Sequence, residues 1–140
     1  MASLTTIRDA IKTIIEENLE GVRCYATVPE SIELPAVVVT PTSANFDVAF
    51  GRGTDTWQFD LSVVVSWADS MVSQLQLDEL VSGAGVRSVR QTIFENRTLG
   101  RTDCDAHVVE VLQYGTGFSF ANINHIGAVL RLIVHTKGTE

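Results

Sequence analysis

The stretch FDVAFGRGTDTWQFDLSVVVSW, Phe46 to Trp67, decides how the rest of the chain is read. In its second half Trp57, Phe59, Leu61, Val63, Val65 and Trp67 fall on one face of an extended strand, and Gln58, Asp60, Ser62 and Ser66 on the other, because side chains on a strand alternate with a period of two. That alternation predicts a half-buried strand. Upstream, AVVVT from Ala36 to Thr40 is a second β-branched run, and Gly51-Arg52-Gly53 lies between the two; its glycines allow the positive φ that a reversal needs. The prediction is a long hairpin with its tip near Arg52. A strand of about ten residues reaches roughly 33 Å, more than a core of this chain length requires, so part of the hairpin is expected to project toward a partner.

On the N-terminal side, Leu4, Ile7, Ile11, Ile14, Ile15 and Leu19 recur at spacings of three and four, which predicts an amphipathic helix over about 4–19. Gly21 is expected to end it. A short strand over Val22 to Thr27 follows, then a loop whose Pro29 and Pro35 cannot donate to a ladder. Beyond Trp67 the spacing becomes helical, with Asp69 or Ser70 as N-cap and Met71, Val72, Leu75, Leu80 and Val81 facing inward. After Gly83-Ala84-Gly85 comes a third helix carrying Val86, Val89, Ile93 and Phe94. Strand is expected again from His107 to Tyr114, then a loop holding Gly115, Gly117, Phe118 and Phe120, then a strand from Ile126 to Thr136. That last strand is apolar on both faces: Ile126, Ala128, Leu130, Leu132 and Val134 on one, Val129 and Ile133 with Arg131 and His135 on the other. Such a strand is central in its sheet or lies at a subunit contact. The fold expected is α+β, a mixed, mainly antiparallel sheet with helices packed on one face and a long projecting hairpin. Residues 1–140 read as one domain, with no internal repeat or linker.

Charged residues make up 19% of the 140, below the roughly 25% usual for soluble domains, so part of the apolar surface is expected to be covered by another subunit. With 17 acidic against 10 basic residues the net charge is -7, which argues against sequence-independent DNA binding, since that requires Lys and Arg on phosphates. Cys24 and Cys104 have neither metal-ligand spacing nor the density of a disulfide scaffold; two reduced thiols are expected. Arg8, Asp9 and Lys12 interrupt the opening segment, unlike the apolar core of a signal peptide, and no run approaches the roughly 20 apolar residues of a membrane span. Assembly in a reducing cytoplasm, away from membranes, is the expectation.

The chemistry-bearing residues are sparse. His107, His125 and His135 lack a second ligand at metal-site spacing. Cys104, flanked by Asp103 and Asp105, lies three residues before His107, but on a strand neighbouring side chains point to opposite faces and the group does not converge. Gly83-Ala84-Gly85 precedes a helix as a phosphate-binding turn would, yet it follows a helix and lacks a P-loop lysine; a corner between helices is the simpler reading. Core packing accounts for Trp57 and Trp67 better than an aromatic ligand platform. Phe46, Phe50, Phe118 and Phe120 fall in or beside expected loops, where aromatic side chains act as interface anchors or pack locally. Asp47, Asp55 and Asp60 form a solvated acidic face, or the wall of a pore.

Taken in order, the N-terminal amphipathic helix, VPESIELPAVVV, FDVAFGRGTDTWQFDLSVVVSWAD and LVSGAGVRSVRQTIFEN resemble the tail terminator family of long-tailed bacteriophages, particularly the versions in phages of actinobacteria. The most specific parts are Ala49 to Gly53 with Asp55-Thr56-Trp57, then Ser82 to Gly85 with Arg87-Ser88-Val89. The resemblance implies a structural virion protein, not an enzyme, with no active site, cofactor or metal. It implies a homo-oligomer, a six-fold ring that stops tail-tube polymerisation at the head-proximal end. The ring then docks onto a head-completion or neck protein. Assembled in the host cytoplasm, it would reside in the virion tail or neck, DNA passing through its lumen without specific binding. By match to the hairpin motif, Phe50, Arg52 and Trp57 are partner contacts and Asp47 and Asp55 lumen or ring contacts, with Phe46, Phe118 and Phe120 as further candidates. The alternatives are another neck component, such as a head-closure or tail-completion protein, and a small cytoplasmic ligand-binding domain or enzyme with a pocket near Phe118 to His125.

Overall fold

The computed structural model describes residues 4–19, 21–26, 35–46, 54–65, 70–100, 104–120 and 123–137; of these, the side chains of 54, 70–73, 115–120, 123–125 and 137 are not described. The isoleucine stripe becomes helix α1 (Leu4–Asn18), whose Ile7, Ile11, Ile14 and Ile15 are buried. Gly21 follows at φ +79, the left-handed conformation that glycine adopts without a Cβ penalty. Next come β1 (Arg23–Tyr25), β2 (Ala36–Asn45) and β3 (Thr54–Val65), then α2 (Ser70–Val81) and α3 (Val89–Glu95), then β4 (Cys104–Phe120) and β5 (Ile123–Lys137). The strands form one sheet in the order β1-β2-β3-β5-β4. Among the described residues only β1 and β2 run parallel; the other three pairings are antiparallel, so the chain is α+β with a mixed, mainly antiparallel sheet.

Register fixes which residues enter the core. Val39 pairs with Leu61, Leu61 with Leu130 and Phe59 with Leu132, so these side chains share one face. Together with Val37, Val63, Val65, Ala106, Ile126, Ala128 and Val134 they join residues of all three helices in one buried cluster. The opposite set is mixed: Ala36, Val38, Val64 and Val129 are buried, while Gln58, Asp60, Arg131, Ile133 and His135 are half-buried. β5 is apolar on both faces because it lies inside the sheet, between β3 and β4.

The helices after β3 differ from expectation in detail. Leu77 and Leu80 of α2 are buried, and Leu75 is 59% exposed. Two helical residues stand about 200° apart around the axis, given roughly 100° per residue, so seating Leu77 on the sheet turns Leu75 away. Val86 is 92% exposed because α3 starts after it, at the N-cap Ser88, whose Oγ accepts from the Gln91 N–H at 3.1 Å and donates to the Ser82 carbonyl. Arg90 also donates to the Gly83 carbonyl at 2.9 Å. The two helices are thus separated by a hydrogen-bonded link over 82–88, and only Val89, Thr92 and Ile93 of α3 are buried; Phe94 is half-exposed.

The loop expected over Gly115 to Phe120 is strand. Phe118 pairs with His125 and Phe120 with Ile123, so β4 and β5 are one continuous hairpin connected by residues 121–122. The register against β5 shifts between Val108 and Glu110, Leu112 and Tyr114, and Thr116 and Phe118. Gly117 is the extra residue of the third shift, and Gly115 pairs with Gly127; a glycine inside a strand marks such an irregularity as readily as a loop.

Replacing a side chain at the centre of the buried row tests this arrangement. Phe59→Ala is expected to cost about 3–5 kcal/mol and Leu77→Ala about 2–5 kcal/mol, whereas Leu75→Ala, on the exposed side of α2, stays within about 0.5 kcal/mol. Urea unfolding followed by circular dichroism measures all three; a Leu75 variant as damaged as the Leu77 variant contradicts the orientation of α2.

Candidate partner-binding site

The base of the first hairpin is held by backbone pairing up to Asn45 opposite Thr56. Just beyond it Phe46, 56% exposed, meets Trp57 edge-on with centroids 5.7 Å apart and planes at 81°. Trp57 in turn lies 6.5 Å from the fully buried Phe59. These three rings lead from the surface into the core. Such a row exposes an aromatic edge while its inner end is fixed by packing, and preferred edge-to-face contacts contribute about 0.5–1.5 kcal/mol beyond the area buried. Thr42 Oγ1 donates to the Gln58 carbonyl at 3.1 Å where the β2 register shifts after Pro41.

The other candidate residues are placed as follows. Asp55 is 3% exposed and pairs with Thr136, whose Oγ1 lies 3.5 Å from the Asp55 carbonyl; it shares the Trp57 face and is not part of a solvated acidic rim in the single chain. Asp47, Phe50 and Arg52 lie outside the described residues. Phe118 and Phe120 are on paired strand, not on a loop, and their side chains lie outside those described. The structure therefore brings Phe46 and Trp57 together and separates them from Asp55 by burial.

A polar group that sequence reading missed occupies the opposite face of the same strands. Thr56 Oγ1 and His135 Nδ1 are 3.0 Å apart, and the His107 and His135 rings are 5.6 Å apart. Asp105, opposite His135 in register, accepts from Arg97 Nε at 2.8 Å and from Arg97 Nη2 at 3.2 Å. That two-pronged hydrogen bond, more than the nearby charges, holds the Asp105 carboxyl below the usual aspartate range. Alternation keeps Cys104 away from this group but places Asp105 and His107, two residues apart, on one face; that was the available signal. Further along, Glu110 pairs with Arg131, and Asp60 stands opposite Arg131 across β3 and β5. Asp60 Oδ1 and Arg131 Nε are sealed from solvent without a hydrogen-bond partner.

Elsewhere the chemistry is quiet. Burial, reinforced by Glu16, pushes the Cys24 thiol up to about 12, so it stays protonated and a poor nucleophile; Cys104 is also buried and is not in a disulfide. The α3 end that a phosphate turn would present is capped by its own Ser88. Among the described residues, no three metal-ligating side chains converge and no helix is long and apolar enough to cross a membrane. No protein-family model matches the sequence, and no curated protein matches it.

The Arg97–Asp105 pair makes a pH-dependent prediction. A carboxylate whose folded-state pKa is depressed adds stability that is present above its ordinary value of about 3.9 and lost as pH falls through the lower folded value. Asp105→Asn should therefore lower the urea midpoint slightly at pH 7, and the difference from the parent protein should vanish in acid. The effect is small because the pair is solvent-exposed. A difference that persists unchanged below pH 3, roughly a unit under that ordinary value, contradicts the assignment.

Proposed function

We propose that the chain is a structural virion protein of the tail terminator type, forming a hexameric ring at the head-proximal end of a phage tail tube and joining the tail to a neck protein. The observation that carries this reading is the agreement between the α+β fold with a mixed, mainly antiparallel sheet that the resemblance implies and the fold of the described residues, in which Asp55, Thr56 and Trp57 of the hairpin motif lie on β3 and Ser82 to Val89 join α2 to α3. Two features of the sheet support it. The row Phe46–Trp57–Phe59 offers a fixed aromatic edge at the base of the motif-bearing hairpin, as an interface anchor requires. The two ends of the sheet are unlike, a three-residue β1 at one and a seventeen-residue β4 at the other, and a head-to-tail ring needs two different contact surfaces on each subunit. The mechanism is geometric. The ring occupies the tube end as another tube ring would, offers no copy of that surface on its far side, and growth stops. An overall charge of -7 suits a lumen that repels passing DNA rather than gripping it.

Negative-stain imaging and mass measurement, on the protein alone and mixed with short tail-tube assemblies, test the proposal. Six-fold rings, or caps at one end of each tube that halt its growth, are expected; a persistent monomer with no affinity for tube ends overturns it. In the same assay Arg52→Asp should weaken tube-end binding by about 2 kcal/mol, roughly thirtyfold, with an unchanged melting temperature. Undiminished capping by that variant removes Arg52 from the contact.

A further inference from the structure

The antiparallel register places His107 opposite Ile133 and His135 opposite Asp105, so the two histidines are diagonal neighbours on β4 and β5. Both lie on the face turned away from the buried row of Leu61, Leu130 and Leu132. Diagonal positions on such a pair stand about 7–8 Å apart, within reach of two ring side chains. Here the rings have closed most of that gap. Their centroids are 5.6 Å apart with planes inclined by 32°, and both residues are half-buried, so solvent reaches the pair. With a metal–nitrogen bond of about 2.1 Å and a ring nitrogen about 1.2 Å from its centroid, two imidazoles sharing one tetrahedral ion stand about 5.4 Å apart. The observed spacing matches what a shared ion needs, and rotation of the rings about χ2 aims their nitrogens inward.

His135 is also held from its other side. Thr56 of β3 is its partner in register, and Thr56 Oγ1 is 3.0 Å from His135 Nδ1, whereas His107 stands across on β4. A hydroxyl accepts as well as donates, so His135 can carry its proton on Nδ1, donate it to Thr56 and keep the Nε2 lone pair for a ligand. An outer hydrogen bond of this kind orients metal-binding histidines. Asp105 shares the face and adds negative charge beside the rings, but Arg97 donates to both its oxygens, and among the described residues no third ligating side chain completes the group. Water fills the remaining positions. Imidazole ligands suit zinc, nickel and copper, not the oxygen-seeking magnesium and calcium. We infer that His107 and His135 form a two-histidine surface site for a divalent transition-metal ion of the zinc class, oriented by Thr56 and clipping β4 to β5. The inference stands apart from the ring reading, since every group in it belongs to a single chain. His125, the remaining histidine of the sequence, is ten residues from His135 along β5, about 33 Å of extended strand, and takes no part.

Zinc chloride titrated into the metal-stripped full chain, followed by the ring signals of the histidines in nuclear magnetic resonance and by calorimetry, tests this. Saturable binding of one ion per chain is expected, moving the His107 and His135 signals and leaving those of His125 in place. It should be reversed by EDTA and accompanied by a rise in melting temperature, because the ion binds the folded chain. Magnesium in place of zinc should move none of the three. His107→Ala and His135→Ala should each weaken zinc binding about tenfold or more, since losing a ligand costs at least as much as losing an outer-shell partner. Thr56→Val keeps both ligands and should weaken it about tenfold; undiminished binding by that variant removes Thr56 from the site. Absence of saturable binding, or zinc binding that leaves the His107 and His135 signals unmoved, overturns the inference. Unchanged affinity in either alanine variant overturns it as well. The ring signals are read in the parent chain, so the outcome does not depend on how the variants fold.

Discussion

β5 is held from every side, and the other elements are placed by it. It pairs with β3 from Ile126 opposite Val65 to Lys137 opposite Thr54, and with β4 along its other edge, so its interior backbone groups have partners in the sheet rather than in water. Its Ile126, Ala128, Leu130, Leu132 and Val134 are buried in the cluster that also takes in residues of α1, α2 and α3. Full burial of a Leu, Ile or Val contributes about 1.5–3 kcal/mol, and one strand supplies four such side chains to a single row. Sliding β5 by one residue would turn that whole row to the other face. Register, and with it the positions of β3 and β4, is thereby fixed.

The opposite face of the same strands is arranged less favourably. Asp60, Arg131 and Glu110 lie side by side across β3, β5 and β4, one cation between two carboxylates. The arginine contacts Glu110, leaving Asp60 Oδ1 and its own Nε sealed and unbonded. An unsatisfied buried polar atom costs about 1–3 kcal/mol. The strands nevertheless stay in this register because the apolar row beneath them outweighs that cost several-fold. His135, Thr56, His107 and Asp105 extend the polar strip toward one end of the sheet, while Val129, Val64, Val38 and Ala36 are buried toward the other. The face is consequently graded from polar to apolar along the strands.

What could be read in the sequence followed periodicity. The isoleucine spacing of α1, the alternation of β3 and the two-faced β5 all repeat over several turns or residue pairs, so no single position decides them. The misplaced features depend on one residue or on distant pairing. Leu75 and Leu77 are both leucines, and only the seating of α2 selects which is buried. Gly115 and Gly117 suggested a loop because glycine signals a turn and a bulge alike, and only pairing with Gly127 separates the two. Asp55 reads as solvated, but its place on the Trp57 face buries it. At the candidate site, Phe46 and Trp57 were both singled out, yet their contact follows from how the β2–β3 register brings position 46 back past position 57. The Arg97–Asp105 and Thr56–His135 pairs carry no local signal; the second spans 79 residues.

The unlike ends of the sheet follow from the order in which the chain visits it. β1, β2 and β3 are laid down in sequence, then the chain leaves for α2 and α3 and returns as β4, with β5 inserted between β4 and β3. The last strand to be covered is therefore central and the one before it is left outside. Among the described residues β4 is consequently the edge strand, and its three register shifts, four residues apart, add local twist where a regular edge would stay straighter.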